Sequence, residues 1–542
     1  MDVLLDKITT LWPEITLLLG AISCLVTGLH PNRAARNLTP WVAALSMGVA
    51  SLLVAVVPEP GTHPLGFDGL SAYVELAVLG VGLLLLAVAA GLPDALKQHR
   101  RSEAAADRGK FEPADALKGE FYAFFLLSIT GCLMTAGASD LVWLFLALEL
   151  VSLPTYVMIA TTRDSAMAQE SAIKYFFLGA MSAALFLYGF AFIYGATGFT
   201  DFEGIRAAVS MHGVSPLMTV GLVLATLGLC FKVAAVPMHV YAADVYEGAA
   251  TPVTAFLAFV PKVAGFVALM LVLGLVGWPL PKAVVTLLAV IAVLTMTLGN
   301  LLAVVQTSLK RMLAYSSIAQ SGYLMLGLIA GPALAASAAS GLAIGNGLAA
   351  ILFYLPAYGL ATVAAFAVIA ALRTNKQTDA EAETYDDLAG LAKRQPVLCG
   401  VLLLAALSLV GLPPLAGFAG KVMLGGAVAQ SGIQPLSALL LFALVLNSAI
   451  SAAYYLRLGL TPFIGKDTEA THPRGVPFRF VAASVAALGV VALGLVLGSP
   501  VATAAHRVTQ HAGSPSKNAA VAAVEAETPV LVELDRRSSE AR

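Results

Sequence analysis

The sequence predicts an all-α polytopic membrane protein, and three observations carry that reading. Of 542 residues, 59% are hydrophobic and only 12% charged, against roughly 45–50% and about 25% in soluble domains. The apolar residues fall into blocks of about 20, the length that crosses a hydrocarbon core about 30 Å thick as a helix. The blocks are continuous rather than alternating, which excludes a barrel, and a lipid-exposed chain must satisfy its backbone groups internally.

In chain order, spans are expected near residues 11–29, 38–57, 70–91, 120–137, 139–160, 171–197, 216–236, 250–275, 283–305, 311–330, 336–372, 396–430, 434–464 and 478–499. That makes about fourteen transmembrane helices. Asp2, Asp6 and Lys7 precede an apolar block containing Glu14, a poor signal peptide, so the first block reads as a retained span. If the spans alternate sides, one side receives Arg33 and Arg36, then Lys97 to Lys118, Arg163, Lys310 and Arg311, Arg373 to Arg394, and Lys466 to Arg479. The connections on the other side receive only Arg206 and Lys282. This bias fits an even number of spans with both termini on the outer side.

Two long runs are interrupted. Pro237 breaks the apolar run that reaches Lys232, and Gly411-Leu412-Pro413-Pro414 breaks the run that continues to Lys421. Paired interrupted helices in the two halves of a transporter point to inverted repeats around a midplane site. A weak internal match agrees: Gly179, Ala183, Ala184, Tyr188 and Ala191 recur at one offset as Gly345, Ala349, Ala350, Tyr354 and Ala357. The 336–372 run exceeds a bilayer and carries Pro356, which predicts a tilted or kinked helix. From about residue 500 the apolar blocks stop, and Gly513 to Arg542 reads as a mobile tail.

The ionisable residues inside the spans are few. A lysine at membrane depth costs roughly 2.5–3.5 kcal/mol on insertion scales. Lys232, Lys262 and Lys421 each sit deep and beside Gly or Pro, where they either carry charge or cap carbonyls freed by broken helices. Glu149 lies near the middle of the fifth span with no charged partner on its own helix. Burial disfavours the charged form of both acid and amine, and a close acid–lysine pair restores it, so a pair of variable separation is a proton switch. A fixed ion pair joining two helices is the structural alternative. Lys174 starts the sixth span, where it either snorkels to the headgroups or takes part in function. His239, just after the first break, is a candidate relay near neutral pH. Tyr315, Ser316, Ser317, Gln320, Ser321 and Tyr323 make the tenth span polar, for a proton wire or for hydrogen bonds between helices.

Several function classes drop out. A net charge of −1 gives no case for nucleic acid. Cys24, Cys132, Cys230 and Cys399 lack metal-ligand spacing and read as small apolar packers. There is no phosphate-binding glycine loop, no Cys/His cluster for iron-sulfur or haem, and no nucleophile with a nearby base. The residues alone describe a chain that moves a small ion and carries no redox centre of its own.

The segments LFLALELVSLPTYVMIA, AIKYFFLGAMSAALFLYG, DVYEGAATPVTAFLAFVPKVAGF, LKRMLAYSSIAQSGY and GLPPLAGFAGKV resemble subunit N of the bacterial proton-pumping NADH:quinone oxidoreductase, respiratory complex I, in its antiporter-like membrane subunit family. The resemblance covers about residues 10–465. It implies fourteen helices with two inverted five-helix repeats, each containing a broken helix. The chain then divides into N-terminal helices and a basic loop (1–119), a first repeat (120–275), a second repeat (283–464), a final helix with its preceding loop (465–499) and a mobile tail (500–542). It implies a translocase subunit in which Glu149 pairs with Lys232, Lys262 is the central relay and Lys421 the terminal one, with Lys174 matching a lysine usual on the sixth span. NADH, FMN, iron-sulfur clusters and quinone would belong to other subunits. The partners would be the other membrane-arm subunits of a hetero-oligomer and the lipid, in the bacterial plasma (inner) membrane with both termini periplasmic. Two departures stand out. Many relatives have His where this chain has Gln320, leaving water or Tyr323 to serve there. Tyr241-Ala242-Ala243 replaces a usual Trp-x-Pro, which is expected to loosen the loop before Asp244. A subunit of a multi-chain sodium/proton antiporter, the equivalent subunit of a photosynthetic ferredoxin-linked quinone reductase, and a purely structural scaffold are the alternative readings.

Overall fold

The structure, a computed structural model, describes residues 10–57, 63–92, 117–163, 165–332, 345–374, 381–465, 471–473, 476–496 and 498–512. The basic loop at 97–110, the start of the 336–372 run and the tail from Gly513 to Arg542 lie outside these residues. The membrane helices are α1 (Trp12–Gly28), α2 (Thr39–Val56), α3 (Leu70–Ala89), α4 (Leu117–Ala136), α5 (Leu141–Thr162), α6 (Ala166–Thr197) and α7 (Pro216–Lys232). After the half-helix α8 (Ala242–Gly248) come α9 (Thr251–Gly274), α10 (Lys282–Val304), α11 (Leu309–Ala330) and α12 (Gly347–Ala371). Then follow α13 (Pro396–Val410), α14 (Ala416–Gln430), α15 (Leu436–Leu460), α16 (Pro477–Leu495) and an amphipathic α17 (Gly498–Thr509).

Eleven of these helices are long and apolar enough to cross a membrane unaided. The other three expected spans are the short α1 and the two broken runs, α7 with α8 and α13 with α14. Short polar residues set many of the starts. Asp140, Ser165, Ser215, Ser308 and Asn346 each accept a backbone N–H from the first turn of α5, α6, α7, α11 and α12, satisfying donors that a helix start leaves unpaired. The one sheet among the described residues is a two-residue antiparallel pairing, β1 (Leu372–Arg373) with β2 (His472–Pro473).

The centre is α9. Every residue from Thr251 to Gly274 is buried, as expected of a helix apolar on all sides, and α3, α4, α5, α7, α11 and α12 surround it. The all-buried Arg479 of α16 donates to the carbonyls of Val88, Ala90 and Ala370, joining α16 to the C-terminal ends of α3 and α12. All four cysteines are buried free thiols, as the packing reading expects.

One assignment needs correction. The segment from residue 500 was expected to be tail, yet α17 is helical to Thr509. Ala505, Val508 and Thr509 are buried, and the Asn346 side chain at the start of α12 donates to Thr509 Oγ1 at 2.9 Å. An apolar stripe this narrow gives no apolar block to a hydropathy window, so it shows only as a docked helix.

The approach of α6 to α7 depends on small residues. A Cβ on Gly189 would stand 2.4 Å from the Ala225 nitrogen and 2.7 Å from the Gly221 carbonyl oxygen, whereas one on Gly48 meets nothing within 4 Å. Gly189→Leu is therefore expected to separate α6 from α7, at about 1–3 kcal/mol or more of overpacking. Native gels should show loss of the chain from its assembly for Gly189→Leu and normal amounts for Gly48→Leu.

Candidate functional site

Lys232 is the last residue of α7, and its ammonium turns toward α5. It donates to Glu149 Oε1 at 3.0 Å, Ser152 Oγ at 2.5 Å and the Leu148 carbonyl at 3.3 Å. The lysine side chain is 2% exposed and the glutamate 20%. The two residues are 83 positions apart, and the fold brings them into one buried ion pair.

The backbone at this first break is closed without the lysine. Ala235 N–H donates to the Cys230 carbonyl, Tyr241 OH to the Phe231 carbonyl at 2.8 Å, and Ser321 Oγ to the Val233 carbonyl at 2.5 Å. Tyr241 also stacks on Tyr175, with ring centroids 5.1 Å apart, and lies 4.3 Å from Phe231. The Tyr241-Ala242-Ala243 departure therefore does not loosen this loop. One aromatic ring pins it.

Lys262 lies at the middle of α9, and its ammonium donates to the carbonyl and the hydroxyl of Ser317 on α11 at 2.5 and 2.6 Å. It stands 5.0 Å from the ring centre of Tyr358 on α12, whose hydroxyl donates to the same Ser317 Oγ at 2.8 Å. Among the described residues no carboxylate holds it; a carbonyl, a hydroxyl and an aromatic face do. Lys232 and Lys262 line one cavity of about 290 Å³, counting its open side, together with Tyr175, Ala234, Tyr241, Tyr246 and Pro261. The enclosed part has room for on the order of one water.

Lys421, one turn into α14, reaches back across the second break. It donates to the carbonyls of Val410 at 2.8 Å and Leu409 at 3.3 Å, the last residues of α13. Gly411 closes that helix with φ +89°, a left-handed conformation that favours glycine. The Lys421 ammonium lies 4.5 Å from the ring centre of Tyr323. Of the three lysines, Lys421 is the one that caps a broken helix, while Lys232 is committed to an acid and Lys262 to a neighbouring helix.

Between Lys262 and Lys421, α11 presents Ser316, Ser317, Gln320 and Tyr323. Gln320 accepts from Tyr354 OH at 2.6 Å and donates to Tyr455 OH at 3.0 Å and the Leu409 carbonyl at 3.1 Å. Ser316 and Tyr455 share a hydrogen bond of 2.5 Å. Tyr323 OH accepts from Asn300 at 3.1 Å. Ser316, Gln320 and Tyr323 thus tie the tenth span to α10, α12, α13 and α15. His239 is half-buried between the exposed Pro237 and Val240 and does not line the cavity of the two lysines.

Lys174 is held between two carboxylates. It pairs with Glu170 and with Asp244 of α8, each at 2.7 Å. Arg311 of α11 holds Asp244 at 3.0 Å and Glu247 at 2.8 Å from the other side. A second ionic cluster joins Lys310, Glu381, Glu383, Arg163 and Arg373. Sequence reading did not find either cluster. Their members are mostly more than sixty residues apart, so the cations read as separate loop charges and their acids were not matched to them.

Burial alone would raise the Glu381 carboxyl, but Lys310, Arg373, Thr251 and Arg163 outweigh it and hold it at about 2, against an ordinary 4.5. Its folded-state value is depressed, so its contribution to stability is full above about 4.5 and fades as pH falls toward 2. Hydrogen exchange at the start of α9 should stay protected down to about pH 4.5 and lose protection below it, more gradually in Glu381→Gln, which has no such carboxylate to protonate.

Residues 138–450 match the family described as NADH:quinone oxidoreductase/Mrp antiporter, transmembrane. NADH-quinone oxidoreductase subunit N 1 of Sorangium cellulosum is 40% identical over 455 residues, covering 80% of this chain and 82% of that one. NADH-quinone oxidoreductase subunit N of Paramagnetospirillum magneticum is 35% identical over 515 residues, covering 93% and 98%. A chain in the structure of respiratory complex I from Thermus thermophilus with bound aureothin superposes with a TM-score of 0.71 at 31% identity, covering 91% of this chain and 99% of that one.

Proposed function

The chain belongs to the subunit N family of NADH-quinone oxidoreductases, and on that membership we propose that it conducts protons through its row of buried lysines. It is a membrane subunit of a proton-pumping oxidoreductase complex, so the electron transfer from NADH to quinone takes place elsewhere in the assembly. FMN, iron-sulfur clusters and quinone belong, in this reading, to its partner subunits. The two antiporter-like repeats occupy residues 120–275 and 283–464. The membrane is the bacterial plasma membrane, with both termini on the periplasmic side and the basic connections on the cytoplasmic side.

One observation carries the proton reading: three ammonium groups are buried at two helix breaks and at the centre of the wholly buried α9, and among the described residues only one of them has a carboxylate partner. Charge displaced by quinone reduction would widen the separation of Glu149 and Lys232. Lys232 without its acid holds its proton less firmly and passes it across the shared cavity toward Lys262. Ser317, Tyr358 and the Gln320 group lie between Lys262 and Lys421, the terminal carrier, with Tyr323 beneath it. Lys174 binds Asp244 on the cytoplasmic side of α8, and His239 stands at the edge of the break as a weaker candidate. The sodium/proton antiporter alternative shares the fold and the family description, but relatives at 35–40% identity over most of the chain are oxidoreductase subunits.

Lys232→Met is the direct test, on membranes in which a native gel confirms assembly. NADH-driven quinone reduction and proton uptake are expected to fall together, by about tenfold or more. Normal values for both would reduce Lys232 to a structural residue.

A further inference from the structure

Glu381 lies in the loop between α12 and α13, well away from the lysine row. Its carboxylate nevertheless meets three helices. Thr251, the first residue of α9, donates its backbone N–H to Oε1 at 3.4 Å and its hydroxyl to Oε2 at 2.7 Å. Lys310, the second residue of α11 and fully buried, stands 3.4 Å from Oε2. Arg373, two residues beyond α12, stands 4.0 Å from Oε1.

Local sequence explains why α9 needs this partner. Its N-cap position is Ala250, which has no side chain to offer, and Pro252 follows in the first turn. The start of a helix leaves N–H groups unpaired and favours an anion. Here the anion comes from another part of the chain, 130 residues away. The loop that carries it is anchored: Leu309 N–H donates to the Glu383 carbonyl at 2.8 Å, and Lys310 also reaches Glu383 at 3.2 Å and the Ala249 carbonyl at 3.2 Å.

The same three helices meet again around Lys262. Lys262 is on α9, Ser317 on α11 and Tyr358 on α12. Thr251 and Lys262 are eleven residues apart, about 16 Å along the helix axis. We infer that Glu381 is a positioning residue for Lys262, locking the relative height of α9, α11 and α12 so that the ammonium stays on Ser317. A carboxylate is the group for this, because one side chain can accept from the helix start and two cations at once. Glu381 also joins the loop preceding α13 in the second repeat to the lysine helix of the first. The inference rests on the proposal that Lys262 carries protons.

The test uses the assembled complex in membranes. Glu381→Gln with Lys310→Met removes the acid together with the lysine that faces it, so that the fully buried Lys310 is not left without its partner. Glu381→Asp keeps the charge and shortens the reach, and Lys262→Met is measured alongside. The readouts are turnover and protons translocated per NADH, each per assembled complex from a native gel. The double variant is expected to lose about tenfold in turnover and to translocate fewer protons per NADH, a displacement effect. Glu381→Asp should lie between it and the wild type. A double variant at wild-type turnover and ratio overturns the inference; if that variant fails to assemble, wild-type values in Glu381→Asp overturn it. Loss in Lys262→Met with normal Glu381 variants rejects only the role of Glu381. Normal pumping in Lys262→Met rejects the proton-carrier reading, and this inference with it.

Discussion

An ammonium group loses several kcal/mol of hydration when it leaves water, and most of this structure follows from how it compensates three such groups. Each lysine finds a different set of oxygens. Lys232 takes a carboxylate and a hydroxyl, Lys262 a serine and the face of a tyrosine, and Lys421 two carbonyls at the end of a broken helix with a tyrosine ring beside it. Carbonyls, hydroxyls and ring faces hold a charge less firmly than a carboxylate does.

The helix breaks belong to the same solution. Where α13 stops at Gly411, carbonyls become free at membrane depth, and Lys421 occupies them. Where α7 stops, Tyr241 and Ser321 take the carbonyls instead, which leaves the Lys232 amine to Glu149. The two breaks look alike in sequence and are closed differently, so that one lysine faces an acid and the other faces backbone carbonyls. Around them the ionic groups of α8, the start of α11 and the Glu381 loop tie helix ends together, away from the lysine row.

Much of this was legible in the sequence, for physical reasons. Span positions follow from the bilayer's thickness, and both breaks show as Pro/Gly inside apolar runs. The three lysines stand out because a buried charge is expensive and rare. The pairing of Glu149 with Lys232 came from family resemblance, since nothing in the spacing of residues 83 positions apart requires it. The partners of Lys262 and Lys421 were beyond reach, because a serine, a tyrosine or a backbone carbonyl carries no mark of what it will hold. Lys174 was read as a choice between snorkelling and function, and the fold gave it Asp244. The internal match of Tyr188 with Tyr354 falls on α6 and α12, yet Tyr188 is 58% exposed and Tyr354 1%, so the recurrence records topology and not environment.

The central claim is that the Glu149–Lys232 pair is a working part and not a brace. Glu149→Gln combined with Lys232→Met separates the two, because replacing both members of a buried ion pair is often neutral for stability, whereas removing one is costly. The measurement is protons translocated per NADH by the assembled double variant. Normal assembly with turnover and pumping both strongly reduced is the predicted result. Full turnover and a wild-type proton ratio in a complex lacking both charges would contradict it.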